Sequence, residues 1–309
     1  MDLPLDRYRG ALIGLAAGDA LGTTIEFSPR DARPLVTDIV GGGPFGLKPG
    51  EWTDDTSMAM CLASSLVEQR RFDPVDQMQR YLRWWREAYW SSNGRCFDIG
   101  STVAEALWKF EGTFEPFAGS TDPSKAGNGS LMRIAPVPLL YARDAAEALY
   151  RAAESSRMTH AAPEAVDACR YFSALIVGAV RGASKEDLLS SSYAPEGWDW
   201  TGDPLVPGVR AIAEGSFKEK TRDRIKSTGY VLHTLEAALW AFHNTANFRD
   251  GAILAVNLGV DADTTGAVYG QLAGVFYGYE GVPAEWSQKV ARKDEIVALA
   301  DQLHQAANA

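Results

Sequence analysis

The sequence predicts a mostly helical protein. Apolar residues recur with helical spacing along much of the 309-residue chain, whereas the strict alternation typical of half-exposed strands is scarce. Two sets of glycines, each spaced four residues apart, lie near opposite ends of the chain, and two short acidic clusters are similarly far apart. We therefore expect the two ends of the chain to meet in one core.

Helical periodicity gives the expected elements in chain order. The segments are 5–21, 55–70, 74–90, 100–110, 143–156, 162–181, 230–243, 248–258, 264–278 and 292–307. Turn-rich stretches separate them, notably Gly41–Pro44 and the long segment 190–229, which is either a solvated connection or a lid or substrate-docking surface. Neither an internal repeat nor a linker interrupts the pattern, so we predict one domain over residues 1–309.

The spaced glycines indicate close contact between two helices. The two sets are Gly10, Gly14, Gly18 and Gly22, and Gly266, Gly270, Gly274 and Gly278. Each glycine in a helix costs about 0.5–1 kcal/mol relative to alanine, and close backbone packing is the expected compensation. A membrane dimerisation face is the alternative, but the apolar run from Ala11 to Gly18 is much shorter than the ~20 residues that a span needs, and Asp19 follows it at once.

The acidic clusters Trp52–Thr56 and Asp261–Thr265 combine carboxylates with hydroxyls, the hard oxygen ligands that Mg²⁺ or Mn²⁺ prefers. The alternative is that each cluster only caps a helix. Capping uses one acceptor for each helix end, however, and adjacent carboxylates repel one another unless a cation or a set of donors neutralises them. We interpret the clusters as the two halves of one dinuclear metal site.

Composition narrows the possible functions. The formal charge of −10 argues against a general nucleic-acid binder, which would present a basic stripe. The three cysteines and four histidines lack the spacing of a zinc site or a disulfide framework. Charged residues from Asp2 to Arg9 interrupt the start of the chain before any apolar core of a secretory signal, so a cytoplasmic enzyme that is not bound to a membrane is expected.

The sequence Asp261–Thr265 also satisfies the DxDxT pattern of phosphatases that use an aspartyl nucleophile, and 255–258 could be the strand that precedes it. Those enzymes need most of a sheet domain after the motif. Too few residues follow Thr265 for such a domain, and their pattern is helical. This alternative is therefore disfavoured.

Several blocks of the sequence together carry a recognisable pattern. They are Gly14–Gly22, Glu26–Phe27, Thr53–Thr56, Gly127–Arg133, Thr159–His160 and Asp261–Thr264. In this order, over about residues 8–286, the chain resembles the ADP-ribosylglycohydrolase family, especially bacterial members similar to the glycohydrolase that activates dinitrogenase reductase. The resemblance implies an all-α, roughly globular bundle with the site in a central cleft.

The resemblance also implies a reaction and a metal centre. The reaction is hydrolysis of the bond between ribose C1″ of ADP-ribose and a modified side chain, typically the guanidine of arginine. The partner would be an ADP-ribosylated protein, the product ADP-ribose, and the enzyme a monomer. Two Mg²⁺ or Mn²⁺ ions would be held by Thr53, Asp54, Asp55, Asp261, Asp263 and Thr264.

The remaining site residues follow from the same resemblance. Glu26 matches a gating glutamate on a mobile loop and, with Asp55 and Asp98, forms the predicted catalytic set. The predicted substrate contacts are Gly100, Ser101, Gly127, Asn128, Gly129, His160 and Tyr230, the three residues 127–129 facing the diphosphate. Without the resemblance, Glu26 would be read as a surface residue, residues 127–129 as a plain turn and His160 as a core or helix-end histidine.

Two alternatives within the family stay open. Hydrolysis of a serine or O-acetyl linkage is one, although Lys125–Ala126 departs from the small polar and aromatic residues typical of the serine-linkage branch. A catalytically silent, crystallin-like binding protein is the other. All four acidic ligands and Glu26 are present, which favours an active hydrolase.

Overall fold

The computed structural model describes residues 3–309, and the regular secondary structure of this part of the chain is helical. The α-helices are α1 (Leu5–Gly22), α2 (Asp54–Gln69), α3 (Pro74–Glu87), α4 (Ser101–Thr113), α5 (Pro136–Leu140), α6 (Ala145–Arg157), α7 (Pro163–Arg181), α8 (Lys185–Leu188), α9 (Pro207–Ala213), α10 (Val231–Asn244), α11 (Phe248–Val256), α12 (Ala262–Tyr277), α13 (Ala284–Lys289) and α14 (Lys293–Asn308). Short 3₁₀ turns occupy Thr23–Ile25, Pro123–Lys125, Arg222–Arg224 and Tyr279–Gly281. Pairing of the β type is limited, within residues 3–309, to isolated bridges.

The prediction of an all-α fold is confirmed, and each segment with helical periodicity forms a helix whose ends lie within a few residues of the expected ones. The sequence did not predict α5, α8, α9 and α13, because helices of four to seven residues are too short to show a period. The proposed phosphatase strand at 255–258 instead includes the end of α11, which excludes that alternative. Asp2, part of the charged start of the chain, lies outside the described residues.

The glycine faces of α1 and α12 pack directly against each other, as the sequence predicts. A Cβ atom added to Gly14 would overlap the carbonyl oxygen of Gly270, and one added to Gly18 would overlap that of Gly266. The order of these pairs shows that the two helices run antiparallel. Only glycine allows the two backbones to come this close, so the C-terminal end of α1 lies beside the N-terminal end of α12.

The segment 190–229 is packed on the core rather than solvated. Its helix α9 buries Val209 and Ile212, and Phe217 and Ile225 are buried further along. The interpretation as a solvated connection is therefore wrong for much of this segment. The sequence signal was weak because the buried residues are spread over short turns instead of one periodic helix.

The core is continuous from one end of the described chain to the other. The main cluster of buried apolar side chains includes Leu3 near one end and Ala307 near the other. Arg9 of α1 also forms an ion pair with Asp301 of α14, with an N–O distance of 2.6 Å. Within residues 3–309, no helix combines the length and the apolar character that crossing a bilayer requires.

Candidate active site

The first acidic cluster stands at the start of α2, where Asp19 of α1 receives the hydrogen bonds of the helix end. The Asp19 carboxylate accepts from the backbone N–H groups of Thr53 and Thr56, at 3.0–3.1 Å and 3.1 Å. It also accepts from the hydroxyls of Thr53 and Thr56, at 3.0 and 2.6 Å. A carboxylate from another helix thus occupies the capping position, and Asp54 and Asp55 are not needed for it.

The second cluster stands at the start of α12, and it does not cap its helix either. The side chain of Asp261, the residue before α12, makes no capping hydrogen bond. Its Oδ2 atom instead accepts from the side-chain amide of Asn128, at 2.6 Å. Helix capping is therefore the wrong explanation for both acidic clusters, and their carboxylates point into a shared space.

That shared space is a cavity of about 270 Å³ at the ends of α1, α2, α4 and α12. The lining residues are Glu26, Phe27, Asp54, Asp98, Gly100, Ser101, Thr102, Val103, Gly127, Asn128, Gly129, Met132, His160, Gly229, Asp261, Asp263 and Thr264. Five of the lining side chains are acidic and none is lysine or arginine. The structure therefore brings most of the predicted site residues together around a strongly acidic pocket.

Short contacts join the two clusters inside this pocket. The Thr53 hydroxyl lies 3.3 Å from Oδ2 of Asp55 and 3.4 Å from Oδ2 of Asp263, and the Thr264 hydroxyl lies 3.4 Å from Oδ2 of Asp55. Thr53 and Asp55 are buried just behind the lining. The two halves that the sequence placed some 200 residues apart thus share one set of oxygen atoms.

Glu26 and Asp98 stand at the mouth of the pocket, beside Asp263. One carboxylate oxygen from each of these three residues lies within 4.8 Å of the others. Asp98 also lies within hydrogen-bonding reach of Asp54. This arrangement puts Glu26 and Asp98, two of the three predicted catalytic carboxyls, close to the predicted metal ligands.

Burial and the repulsion between neighbouring carboxylates raise the pKa values of the acidic residues in the pocket. Burial, followed by the charges of Asp98 and Asp261, raises the pKa of Glu26 to about 9. Burial, followed by the charge of Asp19, raises the pKa of Asp98 to about 7. Burial also raises the pKa values of Asp54, Asp55, Asp261 and Asp263. In the absence of a cation, the chain therefore holds protons in this pocket near neutral pH.

Three buried carboxylate oxygens in this group have no hydrogen-bond partner among the described residues: Oδ1 of Asp55, Oδ1 of Asp263 and Oε2 of Glu26. A buried acceptor left unpaired costs about 1–3 kcal/mol. Clustered carboxylate and hydroxyl oxygens with unused lone pairs are the donor set that hard divalent cations take. The residues present therefore fit a divalent metal centre.

His160 lies under the loop 127–129 and is held by a buried network. The guanidinium of Arg133 donates to the hydroxyl of Thr159 at 2.7 Å, and that hydroxyl lies 2.9 Å from Nδ1 of His160. Among the described residues, Nδ1 of His160 is the remaining partner of the Thr159 hydroxyl, so we assign the hydroxyl proton to Nδ1 and the ring proton to Nε2. Burial, with the charge of Arg133, lowers the pKa of His160 to about 3, so the ring is a neutral donor.

The glycines of the loop 127–129 are required by this ring. A Cβ atom on Gly129 would lie 2.8 Å from Cε1 of His160, and one on Gly127 would lie 3.3 Å from Nε2. The N–H groups of Gly127 and Asn128 are bonded to the carbonyls of Lys125 and Gly229, at 2.8 and 3.0 Å. Of the three loop amides, the one at position 129 therefore remains to meet a ligand.

Most of the other predicted contacts are in the pocket, and one is not. Gly100 and Ser101 line it at the start of α4. Tyr230 lies outside the lining: its hydroxyl donates to Glu164 at 2.6 Å, and its ring packs edge-on against His233. A role for Tyr230 at this pocket has no contact to support it in the structure.

The sequence did not predict several residues at the site, and two of them, Asp19 and Phe27, bear on its geometry. Asp19 was read only as the end of an apolar run, although a lone carboxylate on a buried glycine-rich helix is itself a signal that it needs partners. Phe27 follows Glu26 with a φ of 59° and is 64% exposed at the mouth of the pocket. Its backbone N–H donates to the carbonyl of Val260 at 2.6 Å, which ties the Glu26 loop to the start of the second cluster.

Comparisons with known proteins identify the family of this chain. The family model described as ADP-ribosylglycohydrolase matches residues 1–309. ADP-ribosylarginine hydrolase Tri1 of Pseudomonas putida is 47% identical over 301 residues, which are 97% of this chain and 78% of that protein. ADP-ribosyl-[dinitrogen reductase] glycohydrolase of Rhodospirillum rubrum is 31% identical, over 94% of this chain and 92% of that protein.

A solved structure described as an ADP-ribosylglycohydrolase-related protein complex superposes with a TM-score of 0.86 at 45% sequence identity. The match covers 98% of both chains. The fold, the order of the motifs and the sequence identity therefore point the same way as the resemblance found in the sequence. The chain belongs to the ADP-ribosylglycohydrolase family.

Proposed function

We propose that this protein is a metal-dependent hydrolase that removes ADP-ribose from modified arginine side chains of proteins. The observation that carries the proposal is the acidic pocket, in which carboxylates from both ends of the chain meet and several of their buried oxygens lack partners. The choice of arginine is supported by the relative from Pseudomonas putida, whose name specifies that linkage, and by its 47% identity over 97% of this chain.

Two Mg²⁺ or Mn²⁺ ions would be held by Thr53, Asp54, Asp55, Asp261, Asp263 and Thr264. When bound, such ions lower the pKa of water and orient ribose hydroxyls. Asn128 would hold Asp261 of this set in position, because its amide donates to Asp261 at 2.6 Å and to the Thr234 hydroxyl at 2.8 Å.

Glu26 and Asp98 would move the proton that the reaction requires. Hydrolysis breaks the bond between C1″ and the guanidine nitrogen, joins a water oxygen to C1″ and transfers one water proton to the leaving nitrogen. Two neighbouring carboxyls with pKa values raised to about 9 and about 7 can hold that proton at pH 7 and exchange it. Asp55 lies close to the hydroxyls of Thr53 and Thr264 on the buried side of the pocket, and from that side it would hold the reacting groups in place.

The rest of ADP-ribose would extend from the pocket along the loop 127–129. The pocket, at about 270 Å³, is slightly smaller than the ~300–1,000 Å³ typical of ligand sites, which suits the ribose end alone. The Gly129 N–H and the Nε2–H of His160 would donate to the diphosphate, while Gly100 and Ser101 would contact the ribose from the start of α4. Tyr230 would take part only through the distal part of the ligand.

The whole chain, residues 1–309, would act as one catalytic domain, a proposal supported by the continuous core. It would work as a cytoplasmic monomer on an ADP-ribosylated protein, with ADP-ribose as product.

The test is release of free ADP-ribose from arginine-, serine- and O-acetyl-linked conjugates, with Mg²⁺, with Mn²⁺ and with EDTA. We expect release from the arginine conjugate only, and only with metal present. Release from another conjugate would mean that the enzyme acts on a different linkage by the same mechanism. Release in EDTA would contradict the metal centre, and binding of ADP-ribose without release from any conjugate would identify a silent binding protein.

A further inference from the structure

A second cavity, here called the α8–α10 cavity, lies at the opposite end of α12 from the acidic pocket. Its volume is about 620 Å³, and it is formed by α8, the turn after α9, and the C-terminal ends of α10 and α12. Asp263 and Tyr277 stand at opposite ends of α12, so the two cavities are roughly 20 Å apart along that helix at 1.5 Å per residue. None of the residues that line the acidic pocket lines this one.

The α8–α10 cavity concentrates basic groups on a chain whose net charge is −10. Lys185, Lys218 and His243 line it, with Glu186 as the acidic residue among its lining. No ion pair joins the three basic side chains to a carboxylate of residues 3–309. The two lysine ammoniums face one space and leave a positive field there that an anion would neutralise.

Lys185 is the most constrained of the three bases. Its ammonium donates to the carbonyl oxygen of Thr245 and lies 4.6 Å from the centroid of the Phe242 ring. Both partners are uncharged, and no carboxylate of residues 3–309 forms an ion pair with this half-buried ammonium, although the charge of Glu186 acts on its pKa against the effect of burial. The charges of Lys218 and Lys185 act in addition to burial to lower the pKa of His243, which places all three groups within one another's field.

The remaining wall of the cavity combines apolar side chains with the polar residues Ser190 and Thr245. Phe276, Tyr277 and Leu189 supply flat and aliphatic surface. The Tyr277 hydroxyl is buried and has no hydrogen-bond partner among the described residues. A volume within the ~300–1,000 Å³ range of small-molecule sites, apolar walls and a few convergent polar groups together describe a ligand pocket rather than a solvated groove.

We propose that the α8–α10 cavity binds a small anion with a flat apolar body, the chemistry shared by aryl and nucleoside phosphates. Lys185 and Lys218 would hold the phosphate with the His243 ring beside it, and Phe276 and Tyr277 would pack against the ring of the ligand. This site is separate from the proposed hydrolase activity and does not depend on it.

The test uses the imidazole signals of the protein, in EDTA, during titration with phenyl phosphate or AMP. The chain has four histidines, and the His243 signal is assigned with the variant His243→Gln. We expect a saturable shift of the His243 signal with both ligands and a smaller response to inorganic phosphate or to adenosine. A shift confined to His160 would mean that the ligand enters only the acidic pocket, and it would overturn the proposal, as would no shift at all.

Matched variants locate the contacts. Lys218→Ala removes an exposed side chain and should weaken binding about tenfold, and Tyr277→Leu, which removes the flat ring but keeps an apolar side chain, should weaken it several-fold. Lys226→Ala, also at an exposed lysine but outside the cavity, should have no effect on binding. Equal affinity of the Lys218→Ala variant and the wild type would overturn the anion site, and equal affinity for inorganic and phenyl phosphate would overturn the apolar body. Release of ADP-ribose should be unchanged in all three variants.

Discussion

Asp19 of α1 and Asp55 of α2 are both fully buried beside the first turn of α2, but their surroundings differ. Asp19 accepts hydrogen bonds from two backbone amides and two hydroxyls, whereas one oxygen of Asp55 has no partner among the described residues. Burial raises both pKa values, but donated hydrogen bonds limit that of Asp19 to about 6, while neighbouring carboxylates add to the rise at Asp55. A satisfied carboxylate is part of the scaffold, and an unsatisfied one is available to a ligand.

The variant Asp55→Asn should have the largest effect, and it tests the contrast between the satisfied carboxylate of Asp19 and the unsatisfied one of Asp55. We expect activity to fall on the order of 10³-fold, because the variant removes a carboxylate of the proposed metal centre, and metal ions contribute several kcal/mol to the transition state. In EDTA, the thermal midpoint should be unchanged or higher, since the variant removes a buried carboxyl that its neighbours repel. Activity and thermal unfolding are measured on the same samples. Full turnover by the variant would contradict the assignment of Asp55 to the metal centre.

Asp19→Ala should show the opposite pattern in EDTA. Four donors from Thr53 and Thr56 lose their acceptor at a buried helix end, so the free energy of unfolding should fall by about 3 kcal/mol even without metal. Urea denaturation of the two metal-free variants side by side measures the contrast. Equal stability of the Asp19→Ala and Asp55→Asn proteins would remove the distinction between scaffold and ligand carboxylates.

The close contact between the glycine faces of α1 and α12, here called the seam, holds the two acidic clusters together. The variant Gly18→Ala tests this contact. The added methyl group would overlap the carbonyl of Gly266, so we expect a loss of about 1–3 kcal/mol in unfolding free energy. Gly112→Ala in α4 is the matched control, because a Cβ atom there meets nothing within 4 Å, and it should stabilise by about 0.5–1 kcal/mol. If both variants shift the denaturation midpoint in the same direction, the seam is not close-packed.

The smallest expected effect is a pH dependence of the metal-free protein. The folded pKa of Glu26, about 9, lies above its ordinary value of 4.5, and that of Asp98, about 7, lies above 3.8. The stability that these protonated carboxyls contribute is therefore complete below about pH 4 and is lost as the pH rises through about 7 and then about 9. In EDTA, the melting temperature should fall across this range.

Saturating Mg²⁺ should flatten that fall, because a cation favours the ionised carboxylates. Glu26→Gln is the control and should remove the part of the decline near pH 9. A metal-free melting temperature that does not change between about pH 5 and pH 9 would contradict the clustering of these carboxyls.

The sequence alone predicted the ten helices that are long enough to show a period, the contact between the glycine faces and the meeting of the two acidic clusters. Periodicity, glycine spacing and repelling carboxylates are local properties with few physical solutions. The roles of individual site residues remain predictions, and the structure adds their geometry. Only the tertiary structure showed that Asp19 caps α2 and that Tyr230 bonds to Glu164 outside the pocket. It likewise showed that the segment 190–229 is packed on the core. Whether a buried carboxylate serves as scaffold or ligand depends on which distant donors reach it, and that is set by how the helices pack.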